Sequence, residues 1–173
     1  MPTDAAKAAG LLFLVVVIQL SVMANVDILG GHPNLLLVTL VSVSLLRGAV
    51  FGAVAGFSAG LLADTGVFGT LGFTALLLTL AGYWTGRYGE TTGRDRAHAP
   101  LLSIAVITVL YQISALVLRY MLGEPAPAHH IFAALLPTVV LNLILTVPVY
   151  ALTRRLLALA AQPEGVTEVR LLG

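Results

Sequence analysis

Between Pro100 and Leu118, and again between Ile131 and Thr153, no residue carries a charge. As a helix rising about 1.5 Å per residue, either run is long enough to approach or cross a hydrocarbon core of about 30 Å. Inside a bilayer each backbone N–H and C=O must be satisfied within the segment, and a helix does this. Composition points the same way. The chain is 58% hydrophobic and only 10% charged, with a mean hydropathy of +0.99, whereas a soluble domain carries about 25% charged residues. An all-α integral membrane bundle follows. The apolar spans and short loops use nearly all of the 173 residues, so one domain over residues 1–160 is expected. A flexible tail over 161–173, with Pro163 and Gly165, has too little apolar surface to fold alone. The net charge of +1 provides no basic field for nucleic acid. With no cysteine, disulfides, thiol catalysis and thiolate metal sites are excluded.

Six apolar spans are read along the chain. After a polar lead with Asp4 and Lys7, the first covers residues 10–26. It is read as a membrane span and not a signal peptide, because Val22-Met23-Ala24 is a poor cleavage site. Pro33 suits a helix start, and residues 35–46 form a short second span. Arg47 interrupts, and residues 48–63 form the third. The fourth runs over 70–86, with Tyr83 and Trp84 suited to an interfacial belt. A polar loop over 87–99 follows. Pro100 opens the fifth span, which ends near Tyr120. The sixth covers 130–152, where Pro137 and Pro148 should kink or unwind the helix and Arg154-Arg155 should stop it. As one helix, residues 33–63 would be roughly 46 Å long and would put Arg47 near mid-bilayer. Two spans or a re-entrant hairpin avoid this.

Charge distribution favours six spans with both termini cytoplasmic. The inner side then holds Lys7, Arg47, Arg87, Arg94, Arg96, Arg154, Arg155 and Arg170, and only Arg119 lies outside. A five-span arrangement buries Arg47 and misplaces Lys7 and Arg119.

The third span carries the strongest local pattern. Gly48, Gly52, Gly56 and Gly60 recur every four residues and share one stripe on a helix. Such glycines disfavour a helix in water by about 1 kcal/mol each. In lipid they let a neighbouring helix approach closely. This stretch is expected to organise the rest of the chain, with Arg47 before the helix and Asp64 after it. Gly72, Gly82 and Gly86 extend the set of candidate packing or partner-interface residues. Spacing does not decide whether the neighbour belongs to this chain or to a partner.

Catalytic and metal-binding patterns are poor. Ser21, Ser42, Ser44, Ser58, Ser103 and Ser114 lie in apolar runs with no base at useful spacing, and bonding to a helix backbone or to a neighbour is the simpler reading. The glycines lack the lysine and strand of a phosphate-binding loop. His32, His129 and His130 fall on the outer side but lack the spacing of a known metal site. Neither a metal nor a cofactor is expected. Arg47, Asp64 and Arg119 are boundary polar residues, and Asp64 and Arg119 are placed to pair or to face water. Gln112 and Asn142 lie within spans and are suited to interhelical hydrogen bonds or, in the sharper reading, to a polar ligand cavity.

From Pro33-Asn34 through Arg47-Gly48, Gly56-Phe57, Gly60-Leu61-Leu62 and Asp64 to Leu71-Gly72 and Gly82-Tyr83, the chain resembles the MreD family of bacterial rod shape-determining membrane proteins. Gly-Phe-x-x-Gly-Leu-x-x-Asp at 56–64, followed by Leu71-Gly72, is the most specific part. The resemblance implies a non-catalytic scaffold of the cell-elongation complex in the cytoplasmic membrane. It also implies work with MreC and, through the complex, with MreB, RodA and a class B penicillin-binding protein. Membrane lipid surrounds such a protein. The implied fold is similar to the substrate-binding subunits of energy-coupling-factor vitamin transporters, and small-molecule binding in a transporter is the alternative function.

Overall fold

The computed structural model describes residues 2–22, 27–28, 30–67, 70–92, 99–123 and 128–158; of 2–7, 67, 92, 128–131 and 158 it describes the backbone alone. They form six helices: α1 (Pro2–Ser21), α2 (Leu35–Arg47), α3 (Ala49–Val67), α4 (Phe73–Thr92), α5 (Ala99–Met121) and α6 (Ala128–Ala158). No strand occurs among the described residues, and one antiparallel bridge joins Ile28 to Gly31. Three stretches are long and apolar enough to cross a membrane: Ala49–Gly66, Ala99–Met121 and Phe132–Leu157. The apolar part of α1, Ala8–Ser21, and α2 are shorter.

Helix boundaries depart from hydropathy at polar ends. α1 starts at Pro2 because Ala5, Ala6, Ala8 and Ala9 favour helix regardless of solvent. Asp64 lies inside α3 and not after it. α4 runs past Gly86, so Arg87 and Glu90 are helical and not in a loop. α6 passes through both Pro137 and Pro148 and through Arg154-Arg155, which were expected to end it. Arginine is a good helix former and stops a membrane span without stopping a helix. The proposed tail over 161–173, Arg94 and Arg96 lie outside the described residues.

The helices alternate in direction. Ala8, Val43 and Leu157 cluster with Leu46 and Phe51 at one end. Gly86 lies against Gly48 there, and Pro100 shares a groove with Arg154. We call this the arginine end, since Arg47, Arg87, Arg154 and Arg155 occupy it. At the opposite end Leu20 meets Gly66, Gln19 and Thr138 line one cavity, and Arg119 lies over Phe73.

The centre of the bundle is α2 and not the glycine-rich α3. Every residue from Leu36 to Leu45 is buried, and α2 touches all five other helices. Its sequence, Leu-Leu-Leu-Val-Thr-Leu-Val-Ser-Val-Ser-Leu-Leu, is apolar or small on every side, and such a helix is stable only when surrounded. Its hydroxyls are satisfied locally: Thr39, Ser42 and Ser44 donate to the carbonyls of Leu35, Val38 and Leu40 at 2.9, 2.8 and 2.7 Å. At 13 residues it rises only about 20 Å. Helices and not lipid enclose it, so it need not match the bilayer thickness. In contrast, α3 exposes Val50, Val54 and Phe57, at 76%, 62% and 53%. Its small residues give it one gripping face only.

Candidate functional site

Between α2 and α3 the chain turns on a single non-helical residue. Gly48 has φ 96° and ψ 178°, a conformation essentially confined to glycine. Its N–H still donates to the Ser44 carbonyl at 2.8 Å, and its own carbonyl accepts from Gly52 N–H at 3.0 Å. The last turn of one helix thus runs directly into the first turn of the next. Residues 33–63 are two helices broken at Gly48, and Arg47 closes the first, half-buried at the arginine end.

From Gly48, α3 returns antiparallel to α4, and these two helices make the closest pair in the bundle. A Cβ at Gly52 would meet the Gly82 carbonyl oxygen; at Gly56, the Leu78 carbonyl oxygen; at Gly60, the backbone of Ala75. From the other side, a Cβ at Gly82 would strike Gly52, and one at Gly86 would strike Gly48. The obstacles are backbone atoms, which cannot rotate aside, so hydrogen is the only substituent that fits. The glycine stripe is therefore occupied from within the chain. Gly89, which was not singled out from sequence, continues the α4 series and lies against the Leu45 carbonyl of α2. Its spacing of seven from Gly82 was the available signal. Gly72 differs in kind: its φ is 91°, open space surrounds the place of a Cβ, and it serves the turn into α4.

Each helix of the pair caps the other. Asp64, buried near the C-terminal end of α3, accepts from the N–H groups of Gly72 (2.9 Å), Thr74 (3.0 Å) and Ala75 (3.2 Å) at the start of α4. Glu90, near the C-terminal end of α4, accepts from Ala49 N–H at 2.9 Å at the start of α3. It also meets Arg87 at 3.4 Å. A carboxylate near its own helix C-terminus opposes that dipole. Antiparallel packing instead delivers it to the neighbour's N-terminus, where unpaired donors and the positive dipole end favour it. Asp64 therefore does not pair with Arg119. That guanidinium lies 5.8 Å from the centroid of the Phe73 ring, a cation–π distance.

A second polar cluster holds the N-terminus of α2 at the end opposite the arginines. Asn34 caps its own helix, accepting from Leu37 N–H at 2.9 Å. Gln19 of α1 accepts from Leu35 N–H at 2.8 Å and donates to the Pro33 carbonyl at 3.4 Å. Asn142 of α6, fully buried, accepts from Asn34 N–H at 2.8 Å and donates to Thr108 of α5 at 3.1 Å. His32 N–H donates to Thr138 at 3.3 Å. Gln112 joins these residues around a cavity of about 210 Å³. The cavity thus brings together Gln112 and Asn142 but neither Asp64 nor Arg119. Gln19 was the residue missed, although a lone amide in an apolar run is a readable signal.

Among the described residues no three His, Cys, Asp or Glu side chains come together as a metal site; the side chains of His129 and His130 lie outside the described residues. Ser42, Ser44 and Ser58 bond their own helix, whereas Ser103 is buried without a partner. Together these features join helices rigidly.

No curated protein and no solved structure gives a significant match to the chain. A family model described as rod shape-determining protein MreD matches residues 8–159, which include the glycine seam, both caps and the polar cluster. The chain accordingly belongs to the MreD family and serves bacterial rod-shape determination.

Proposed function

We propose that this protein is a non-catalytic scaffold of the cell-elongation complex that engages MreC within the bilayer. MreB, RodA and a class B penicillin-binding protein join through the assembled complex, and the assembly helps to organise peptidoglycan synthesis. The supporting observation is the α3–α4 pair. Its small residues are spent on internal packing, leaving a rigid plate whose outward α3 face carries Val50, Val54, Phe57 and Leu61. A partner helix meeting this plate meets a surface that loses little conformational entropy on binding. In this reading all six helices cross the cytoplasmic membrane, with both termini and the arginine end on the cytoplasmic side.

Photo-crosslinking residues placed singly at Val54 and Phe57 test the contact, with Leu110 of α5 as the comparison. Crosslinks to the membrane anchor of MreC from α3 and not from α5 are expected. Efficient crosslinking at Leu110 with none at Val54 or Phe57 would move the interface off this plate.

The 210 Å³ cavity supports a second reading, a small-molecule-binding subunit of a transporter. Gln112, half-buried at this cavity, would offer its amide to an uncharged polar group. Such a protein purifies with a stoichiometric small molecule and an ATPase module, and a preparation containing MreC without either argues for the scaffold.

A further inference from the structure

At the arginine end, residues of α5 and α6 line a groove of about 460 Å³. Leu101, Val147 and Tyr150 line it together with Thr146, which is buried, and with Arg154 and Arg155, both exposed. Neither arginine has an acidic partner among the described residues. From Val147 to Arg154 a helix rises about 10 Å, so the apolar part lies within the depth of one leaflet of a core about 30 Å thick. Val147 is 63% exposed, so the slot opens sideways toward lipid. An apolar slot one leaflet deep, capped by two guanidiniums at a membrane boundary, matches one kind of molecule in both parts. Guanidiniums bind phosphate oxygens through paired hydrogen bonds, and basic pockets between membrane helices select anionic head groups.

We propose that the α5–α6 groove is a binding site for an anionic glycerophospholipid, with its phosphate on Arg154 and Arg155 and one acyl chain along Val147 and Leu101. This inference rests on the membrane reading and not on the proposed partner. The lipid occupies the leaflet at the arginine end and seals a seam between α5 and α6 that the protein's own side chains leave open.

Native mass spectrometry of the purified full chain tests the site, with phosphatidylglycerol and phosphatidylcholine of identical chains added separately. Preferential retention of one phosphatidylglycerol is expected. Arg154→Gln with Arg155→Gln should weaken it roughly tenfold to thirtyfold, since each cation at a membrane surface contributes about one factor of five. Val147→Trp, at a lipid-facing position, should fill the slot and abolish retention with both arginines intact. Arg47→Gln should leave retention unchanged. Equal retention of the two lipids overturns the proposal, as does an equal loss with Arg47→Gln, which would indicate general surface charge. Retention undiminished in Val147→Trp also overturns it, because the arginines would then act without the slot. Retention of free glycerol phosphate as strong as that of the lipid would assign the arginines to a soluble anion and overturn the proposal.

Discussion

Asp64→Ala removes the acceptor of three backbone N–H groups at the start of α4 at once. The donors are partly or fully shut off from water, so a loss of about 1–3 kcal/mol is expected. Asp64→Asn should cost less, because one oxygen stays an acceptor, and thermal unfolding in detergent should rank the variants Ala below Asn below wild type. The same measurement at Glu90 should show Glu90→Gln milder than Glu90→Ala, since glutamine can still accept from Ala49 N–H. Gly48→Ala meets two obstacles, a backbone conformation closed to other residues and the carboxylate of Glu90. It should destabilise by about 1–3 kcal/mol, whereas Gly10→Ala, with nothing within 4 Å, should be neutral or mildly stabilising. At this scale the sequence was only partly legible. Asp64 and Glu90 are visible as acids near the ends of apolar spans. Their task is set by the neighbouring helix they reach, which spacing along one chain does not encode.

At the scale of helices, the α3–α4 seam is the least tolerant contact. Gly56→Leu or Gly60→Leu must push α4 away by more than a side-chain adjustment, because backbone atoms are in the path. Both variants should lose the monodisperse folded species in size-exclusion chromatography, and Gly56→Ala should show a reduced midpoint of unfolding. Normal folding of both leucine variants would contradict the seam. The four-residue glycine spacing made a close contact legible, but that Gly82 and Gly86 of α4 form its other half is decided by the fold. The centrality of α2 was not legible, because a short apolar run reads alike whether lipid or protein surrounds it. α4 shows the reverse: its polar C-terminal turns shorten the apolar run, yet the helix continues to Thr92.

For the whole molecule, alternating helix directions place the described arginines at one end, with Arg119 the exception. Because the chain has no cysteine, single cysteines report sidedness without background. Thr91→Cys and Leu122→Cys, both at exposed positions, should label from opposite faces of the membrane. Leu122→Cys should react in intact spheroplasts and Thr91→Cys only after permeabilisation. Labelling of both from one face would remove the six-span arrangement. The cavity at the end opposite the arginines is held by Gln19, Asn34 and Asn142 from three different parts of the chain, so Asn142→Leu should loosen the entry to α2. It leaves Asn34 N–H without its acceptor, a cost of about 1–3 kcal/mol, which thermal unfolding can read.

The sequence by itself determined the membrane setting, the helical class, the glycine contact and the family, because each depends on local composition or on fixed spacing along one chain. Hydrophobicity and a four-residue repeat are properties that a linear string carries in full. Tertiary structure decided which helix lies at the centre, which partner the glycines meet, and which donors Asp64, Glu90, Gln19 and Asn142 satisfy. Those outcomes depend on groups far apart in sequence: Asn34 and Asn142 stand 108 residues apart and meet at 2.8 Å. In a bilayer, unsatisfied backbone groups at helix ends are costly, and long-range packing brings these acids and amides to them.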